Sequence, residues 1–415
     1  MEQEKQTSAA ESLVNAAITP FVTLSLFLVW LACGAVIAHF WSDCDVIGKL
    51  IWVIILSGWI LLTPLVVSIL FSLVSMGAQM QGQMNIARFF SKAAFQLYWT
   101  STLFLSWTGK SSFSLPALTY QAVLLADCRF KEAEQVTSDL VSFFEQKFGK
   151  ESKPLAAVLT LHTKSLMVQG KLREALEGAK RVEVIYRKTN DFSHPDSIWR
   201  IAEIYRCGGQ YSVAEQYHKE SIEKCLIPAP GLEGHEKLNE LAEGRAAVFR
   251  FGYASALYKM GNLAGARAQI EKALSCMGAE NLKTTSASVF AQAAIVAARQ
   301  NRMEKADEYY KEATTRYEKY GRDNKLEAFD EFELLGEYAM IRDRFEESET
   351  MYKKSLALSK EVGLENSVLM MLTLEGYAEL LRKMHREQDA IQIQQRFEEI
   401  LKHATEELLP TISSK

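Results

Sequence analysis

The stretch GNLAGARAQIEKAL (261–274) opens on a glycine turn and runs into an amphipathic helix. NRMEKADEYYKEAT (301–314) follows the same plan 40 residues later, and DRFEESETMYKKSL (343–356) follows it after 42 more. In each, a turn residue is followed by a large apolar residue two positions on and a small residue five positions on. Recurrence at a fixed interval of this size, with helix on both sides of a tight turn, marks an α-solenoid.

Aligning on the small residue extends the pattern in both directions. It is Ala133 in CRFKEAEQVTSDL, Ala175 in GKLREALEGAKRV and Ala214 in GQYSVAEQYHKES. Ala266, Ala306 and Ser348 come next, then Ala390 in HREQDAIQIQQRF. The successive intervals are 42, 39, 52, 40, 42 and 42. Twelve residues upstream stands a second small residue in five units: Ala202, Ala254, Ala294, Gly336 and Ala378. A large side chain there would hold two antiparallel helices apart, because interaxial distance follows the size of the contact residues. Gly170, Gly209 and Gly261 suit a helix end that needs positive φ. Leu172, Tyr211, Leu263, Met303 and Phe345 then plug the gap to the next pair. Units of this kind bury a continuous core only when stacked.

These residues resemble the tetratricopeptide repeat, whose usual unit has a small residue in each helix, a turn glycine and an aromatic at the crossing. The longer period is similar to the kinesin-light-chain variety. The resemblance covers 114–405 and is carried by seven units together. The first departs most, with Gln121 and Leu140 where small residues normally stand. The 52-residue interval contains CLIPAPGLEGHEKLNELAEG (225–244), read as a loop over 226–234 followed by a lengthened first helix over 235–259. That loop is either a plain linker or a lip on the binding face.

In this repeat family the first helices line the concave groove. The register therefore places Trp199, Glu203 and Arg206 in the groove from the third unit. Phe251, Ser255, Tyr258 and Lys259 come from the fourth, Ile295 and Arg299 from the fifth, and Glu333 and Glu337 from the sixth. Aromatics beside arginine suit an anchor for an extended or helical peptide.

The front of the chain has a different composition. Residues 12–42 and 50–87 contain no Asp, Glu, Lys or Arg. Within them lie PFVTLSLFLVWLACGAVIAHF (20–40) and LIWVIILSGWILLTPLVVSILFSLVSM (50–76), each long enough for a bilayer core that takes about 20 apolar helical residues. The short link WSDCDVIGK (41–49) makes them a hairpin with both ends on one side. Lys49 in that link stands beside Asp43 and Asp45, whereas the flanks carry Lys5, Arg88 and Lys92. The positive-inside rule then puts both termini and the solenoid in the cytoplasm. The segment 93–109 is uncharged but diluted by Gln, Thr, Ser, Tyr and Trp. It fits an interfacial or capping amphipathic helix, with a third span as the alternative.

The expected organisation is all-α. A tail (1–16) precedes a transmembrane hairpin (17–76, spans about 18–41 and 50–76). An amphipathic juxtamembrane segment (77–113), a solenoid of about seven helix-turn-helix repeats (114–405) and a tail (406–415) follow.

Forty-seven Lys and Arg against 51 Asp and Glu give a net charge of −4, with no global basic field for nucleic acid. Cys33, Cys44, Cys128, Cys207, Cys225 and Cys276 show no C-x-x-C spacing, which predicts free thiols. GHEKLNE (234–240) begins like a metalloprotease helix but has Asn239 where the second histidine belongs. WTGKSS (107–112) lacks the first glycine of a phosphate loop, since Phe104 stands there. DCDVIG (43–48) starts like a calcium loop but has Ile54 in place of its bidentate glutamate. No enzyme chemistry, metal or cofactor is expected. The sequence predicts a membrane-anchored adaptor or scaffold that binds a protein or peptide partner in its groove. The alternative is an assembly subunit of a homo-oligomeric channel or transporter complex whose hairpin is the working part. The uncharged spans speak against ion handling by a single hairpin.

Overall fold

The computed structural model describes residues 67–79, 83–105, 115–227, 236–276, 287–321 and 324–408. The first predicted span, and the second as far as residue 66, lie outside these residues, as do 228–235 and the final seven positions. Among the described residues no helix is long and apolar enough to cross a membrane.

The described chain is helical. α1 (Met84–Leu105) precedes seven antiparallel pairs. The first four are α2 (Leu115–Ala126) with α3 (Phe130–Phe148), α4 (Lys153–Val168) with α5 (Leu172–Lys188), α6 (His194–Cys207) with α7 (Tyr211–Leu226), and α8 (Glu236–Lys259) with α9 (Leu263–Cys276). The last three are α10 (Ala287–Arg299) with α11 (Met303–Arg316), α12 (Lys325–Ile341) with α13 (Phe345–Val362), and α14 (Met371–Lys383) with α15 (Glu387–Leu408).

The small residues stand where the helices cross. Ala133, Ala175, Ala214, Ala266, Ala306, Ser348 and Ala390 are fully buried, and so are Ala202, Ala254, Ala294 and Ala378. A Cβ on Gly336 would meet the Tyr352 ring at 3.1 Å, and Ser348 Oγ donates to the Gly336 carbonyl at 2.7 Å. In the first unit Gln121 is buried where others have a small residue. Its amide donates to Ser165 Oγ at 2.8 Å and to the Leu161 carbonyl, joining the first unit to the second by hydrogen bonds.

All seven intra-pair turns share one backbone solution. The residue five before each second-helix small residue is left-handed: Gly170, Gly209 and Gly261, but also Cys128, Asn301, Asp343 and His385, at φ of 54–60°. The next residue's N–H reaches back five positions, as Lys171 does to Leu166, Gln210 to Tyr205 and Arg386 to Leu381. This satisfies carbonyls that the helix end leaves open.

The solenoid returns on itself. α15 packs against α5 and α6, so Ile400, Ala404 and Leu408 share a core with Leu172, Leu176 and Ile204. Ser367 Oγ donates to the Val168 carbonyl at 3.0 Å, and Val368 lies on Gly170. α15 runs beyond residue 405 to Leu408, which is buried. The closure encloses a lumen lined by the first helices of successive pairs.

α1 packs on α2. Arg88 is bidentate to Asp127 through Nε at 2.8 and 3.0 Å, and Phe95 stacks on Tyr120 with centroids 5.0 Å apart. This is the packing of a cap on the first unit. The preceding helical stretch 67–79 has an inverted face pattern. Ser68, Ser72 and Ser75 are buried while Leu70, Leu73 and Val74 are exposed, and Ser75 Oγ donates to the Ala87 carbonyl at 3.0 Å.

Candidate functional site: the lumen

Two cavities open into the lumen and meet at Leu372. The larger, about 660 Å³, is walled by α6, α8, α10, α12 and α14; the smaller, about 390 Å³, by α8, α10, α12, α14 and α15. Of the groove residues expected from the register, Trp199, Glu203, Arg206, Phe251, Ser255 and Glu333 line the larger cavity. Tyr258, Lys259, Arg299 and Glu337 line the smaller. Ile295 lines neither. It is 1% exposed and packed in a cluster with Ala298, Ala306 and Tyr338, because the alanine-rich α10 lets its neighbours approach closely enough to cover it.

Several lining residues escaped the sequence reading. Val248, Ser288, Asp330 and Leu372 all stand six positions before the small residue of their first helix, one helical turn upstream of Phe251 and Glu333. Glu375 and Glu379 repeat in the seventh unit the register of Glu333 and Glu337. Carrying the helical period one turn back and one unit on would have found all six.

The smaller cavity is an ion-pair lattice. Lys259 Nζ donates to Glu375 Oε2 at 2.8 Å. Arg299 reaches Glu337 Oε1 at 3.3 Å and donates from Nε to Tyr258 Oη at 3.2 Å, while Tyr258 itself donates to Glu337. Burial works against the Lys259 ammonium, but Glu337, Glu375 and Glu333 outweigh it and hold its pKa above the ordinary value. These bonds tie α8 and α10 to α12 and α14 across the lumen.

The larger cavity combines apolar wall with polar groups of unequal satisfaction. Arg206 Nη2 donates to Glu203 Oε2 at 2.8 Å. Burial alone would raise the Glu203 carboxyl, but the charge and hydrogen bond of Arg206 overcome it and hold it below the usual range. His218 is fully buried, its Nε2 stands 3.5 Å from Glu203 Oε1, and burial pushes it down to about 4, so it is neutral at physiological pH. Trp199 stacks on Phe249 with centroids 5.6 Å apart and carries the Arg200 guanidinium 4.8 Å from its ring centroid. The Trp199 indole N–H, Glu203 Oε1 and both His218 nitrogens are buried without hydrogen-bond partners among the described residues. They converge on Gly252, where an added Cβ would lie 2.8 Å from His218 Cε1 and 3.2 Å from Trp199 Nε1. Among the described residues no group of three or more His, Cys, Asp or Glu side chains is placed to hold a metal ion.

An all-α repeat solenoid with a lined lumen is the class this geometry defines, and comparison with solved structures agrees. The chain is similar to a Rap protein complexed with competence and sporulation factor, at 10% identity and a TM-score of 0.53, over 82% of this chain and 99% of that one. It is also similar to the Rap conjugation gene regulator of the plasmid pLS20 in complex with the Phr* peptide, at 14% identity and a TM-score of 0.51, over 83% and 98% respectively. At such identities the likeness is one of fold. No protein-family model matches the sequence, and no curated protein matches it.

Proposed function

We propose that this protein is a non-catalytic adaptor that binds a peptide, or a peptide-like segment of a protein partner, in the lumen of its solenoid. The observation that carries this reading is the larger cavity. Its volume lies within the range of about 300–1,000 Å³ usual for ligand sites, and a few polar groups converge on an otherwise apolar wall. The two Rap structures, one complexed with competence and sporulation factor and the other with the Phr* peptide, support the same use of the fold.

The adaptor is held at a membrane by the apolar segments before residue 77, with the solenoid on the cytoplasmic side. The uncharged run 50–87 supports this, and so does the inverted 67–79 helix. Small polar residues inside and leucines outside are what a helix facing lipid requires. Partner capture tests the binding half. Crosslinking in intact cells, followed by membrane solubilisation and pull-down, should recover a partner with the wild type and lose it with a Trp199→Ala, Phe251→Ala double variant. An unchanged partner list would place binding outside the lumen. Protease added to sealed cells tests the topology: the solenoid should survive, and its digestion from outside would reverse the stated orientation.

A further inference from the structure

The antiparallel pairs give the solenoid two edges. One is formed by the turns inside each pair, the other by the links between pairs, where first helices begin and second helices end. Among the described residues, Met260 at 37% is the one large apolar side chain left exposed on the turn edge. On the link edge of the third and fourth units stand Phe192, 79% exposed, and Ile227 and Leu241, each more than half exposed. They share one level. Ile227 lies thirteen residues after Ala214, Leu241 lies thirteen before Ala254, and Phe192 is in the link that opens α6. Single exposed apolar residues are ordinary, whereas a group of them on one edge marks a contact.

The chain holds this tip in place. Arg245 of α8 donates to the Phe192 carbonyl at 2.9 Å, and its guanidinium lies 5.6 Å from the centroid of the Phe192 ring. Asp191 accepts from the Ser193 N–H at 2.9 Å and pairs with Lys153 at 2.9 Å. The charges nearby compensate one another, with Lys188 on Glu151 at 2.8 Å and Arg245 on Asp196. What the tip offers outward is therefore apolar surface and not a basic patch.

The N-terminal part of the chain comes from the same direction. Ala78 meets Gln83, Ser75 meets Ala87 and Phe71 meets Phe90, so the helical stretch 67–79 runs antiparallel to α1. Arg88 meets Asp127 and Phe95 meets Tyr120, so α1 runs antiparallel to α2. The stretch 67–79 thus runs as α2 does, toward the turn edge, and residue 67 is its end nearer the link edge. The 66 preceding residues, with their two uncharged runs, are joined at that end.

We propose that the link edge of the third and fourth units is a second bilayer contact, with Phe192, Ile227 and Leu241 entering the boundary between headgroups and acyl chains. This rests on the membrane-anchor reading and adds an orientation to it: the solenoid stands with its link edge on the membrane and its turn edge toward solvent. Apolar side chains at an interface bind in proportion to the area they bury. A chain already tethered beside the bilayer presents them at high effective concentration, so a small patch suffices. Because the surrounding charges are paired, the contact needs no anionic lipid.

The test uses the 415-residue chain reconstituted in phosphatidylcholine vesicles. An environment-sensitive fluorescent amino acid replaces Leu70, Phe192, Leu241 or Met260, one at a time, and the vesicles carry a lipid with a nitroxide near its headgroup. Emission from positions 70, 192 and 241 should shift to the blue and be quenched by the nitroxide, and emission from 260 should not. Adding phosphatidylserine should leave the quenching at 192 unchanged. Phe192→Asp with Ile227→Asp should abolish the quenching at 241 while leaving that at 70. Quenching at 70 but not at 192 would overturn the edge contact and leave the anchor standing. No quenching at 70 would overturn the anchor itself. Equal quenching at 192 and 260 would overturn the orientation, and quenching at 192 that needs phosphatidylserine would overturn the apolar contact. A blue shift at 192 without quenching would give the edge to a protein surface and overturn the lipid assignment.

Discussion

The backbone N–H of Arg173 donates to the carboxylate of Glu407, 234 residues further along the chain, at 3.2 Å. The Arg173 guanidinium caps the end of α15 as well, reaching the carbonyls of Glu406 and Glu407 at 3.0 and 3.2 Å. A local repeat pattern thus ends in a long-range closure, and that closure turns a curved surface into a lumen.

Leu408 is a buried contact of the closure, 7% exposed and lying against Gly208. Leu408→Ala should cost about 2–5 kcal/mol of stability, the range for deleting a buried leucine side chain. Urea unfolding gives the loss. Hydrogen exchange should quicken first in α5, α6 and α15, the elements that the closure joins.

The turns offer a stabilising change. His385 is exposed and holds φ at 60°, where its Cβ is unfavourable, while Gly170, Gly209 and Gly261 occupy the same position in other units. His385→Gly should raise stability by up to about 1 kcal/mol, the gain from lost left-handed strain being reduced by glycine's greater unfolded freedom. A thermal melt decides it, and a lowered midpoint would mean that the turn strain is relieved elsewhere.

Gly252 stands at the cavity wall, where Glu203, His218 and Trp199 converge. Gly252→Ala should displace them and cost about 1–3 kcal/mol, the range for overpacking a filled site. It should also weaken peptide binding more than the stability loss accounts for, because the displaced Trp199 belongs to the cavity. Unchanged melting and unchanged binding together would show that the wall yields freely.

Glu333 gives the protein a pH-dependent stability. Its folded pKa, about 8, lies above the unfolded value near 4.3, so its contribution is fully present below the unfolded value and is lost as pH rises through about 8. Glu333→Gln should therefore come closest to the wild type at or below pH 4 and exceed it increasingly toward pH 9. Chemical denaturation at the two values reads the divergence, and parallel curves would place the titration on another group.

Much of this architecture was legible in the sequence, because the repeat is a local code. A small residue at a crossing and a turn five positions earlier are decided within one unit, and Ala202, Ala254 and Ala294 are buried as their spacing required. The register placed all seven turns, but it gave positive φ only to the glycines, whereas Cys128, Asn301, Asp343 and His385 adopt that conformation as well. The closure was missed, since contacts such as Arg173 to Glu407 have no local signature. In the lumen the register located ten residues that line the two cavities and misplaced Ile295, whose neighbours rather than its phase decide its burial.

The most direct test of lumen binding is site-specific photocrosslinking. A photoreactive residue at Ser255, on the cavity wall, is compared with one at Lys272, exposed on α9. The account predicts a crosslinked peptide or partner segment from Ser255 alone, lost in the Trp199→Ala, Phe251→Ala background. Crosslinks from Lys272 with none from Ser255 would contradict it and move the working surface to the outside of the solenoid.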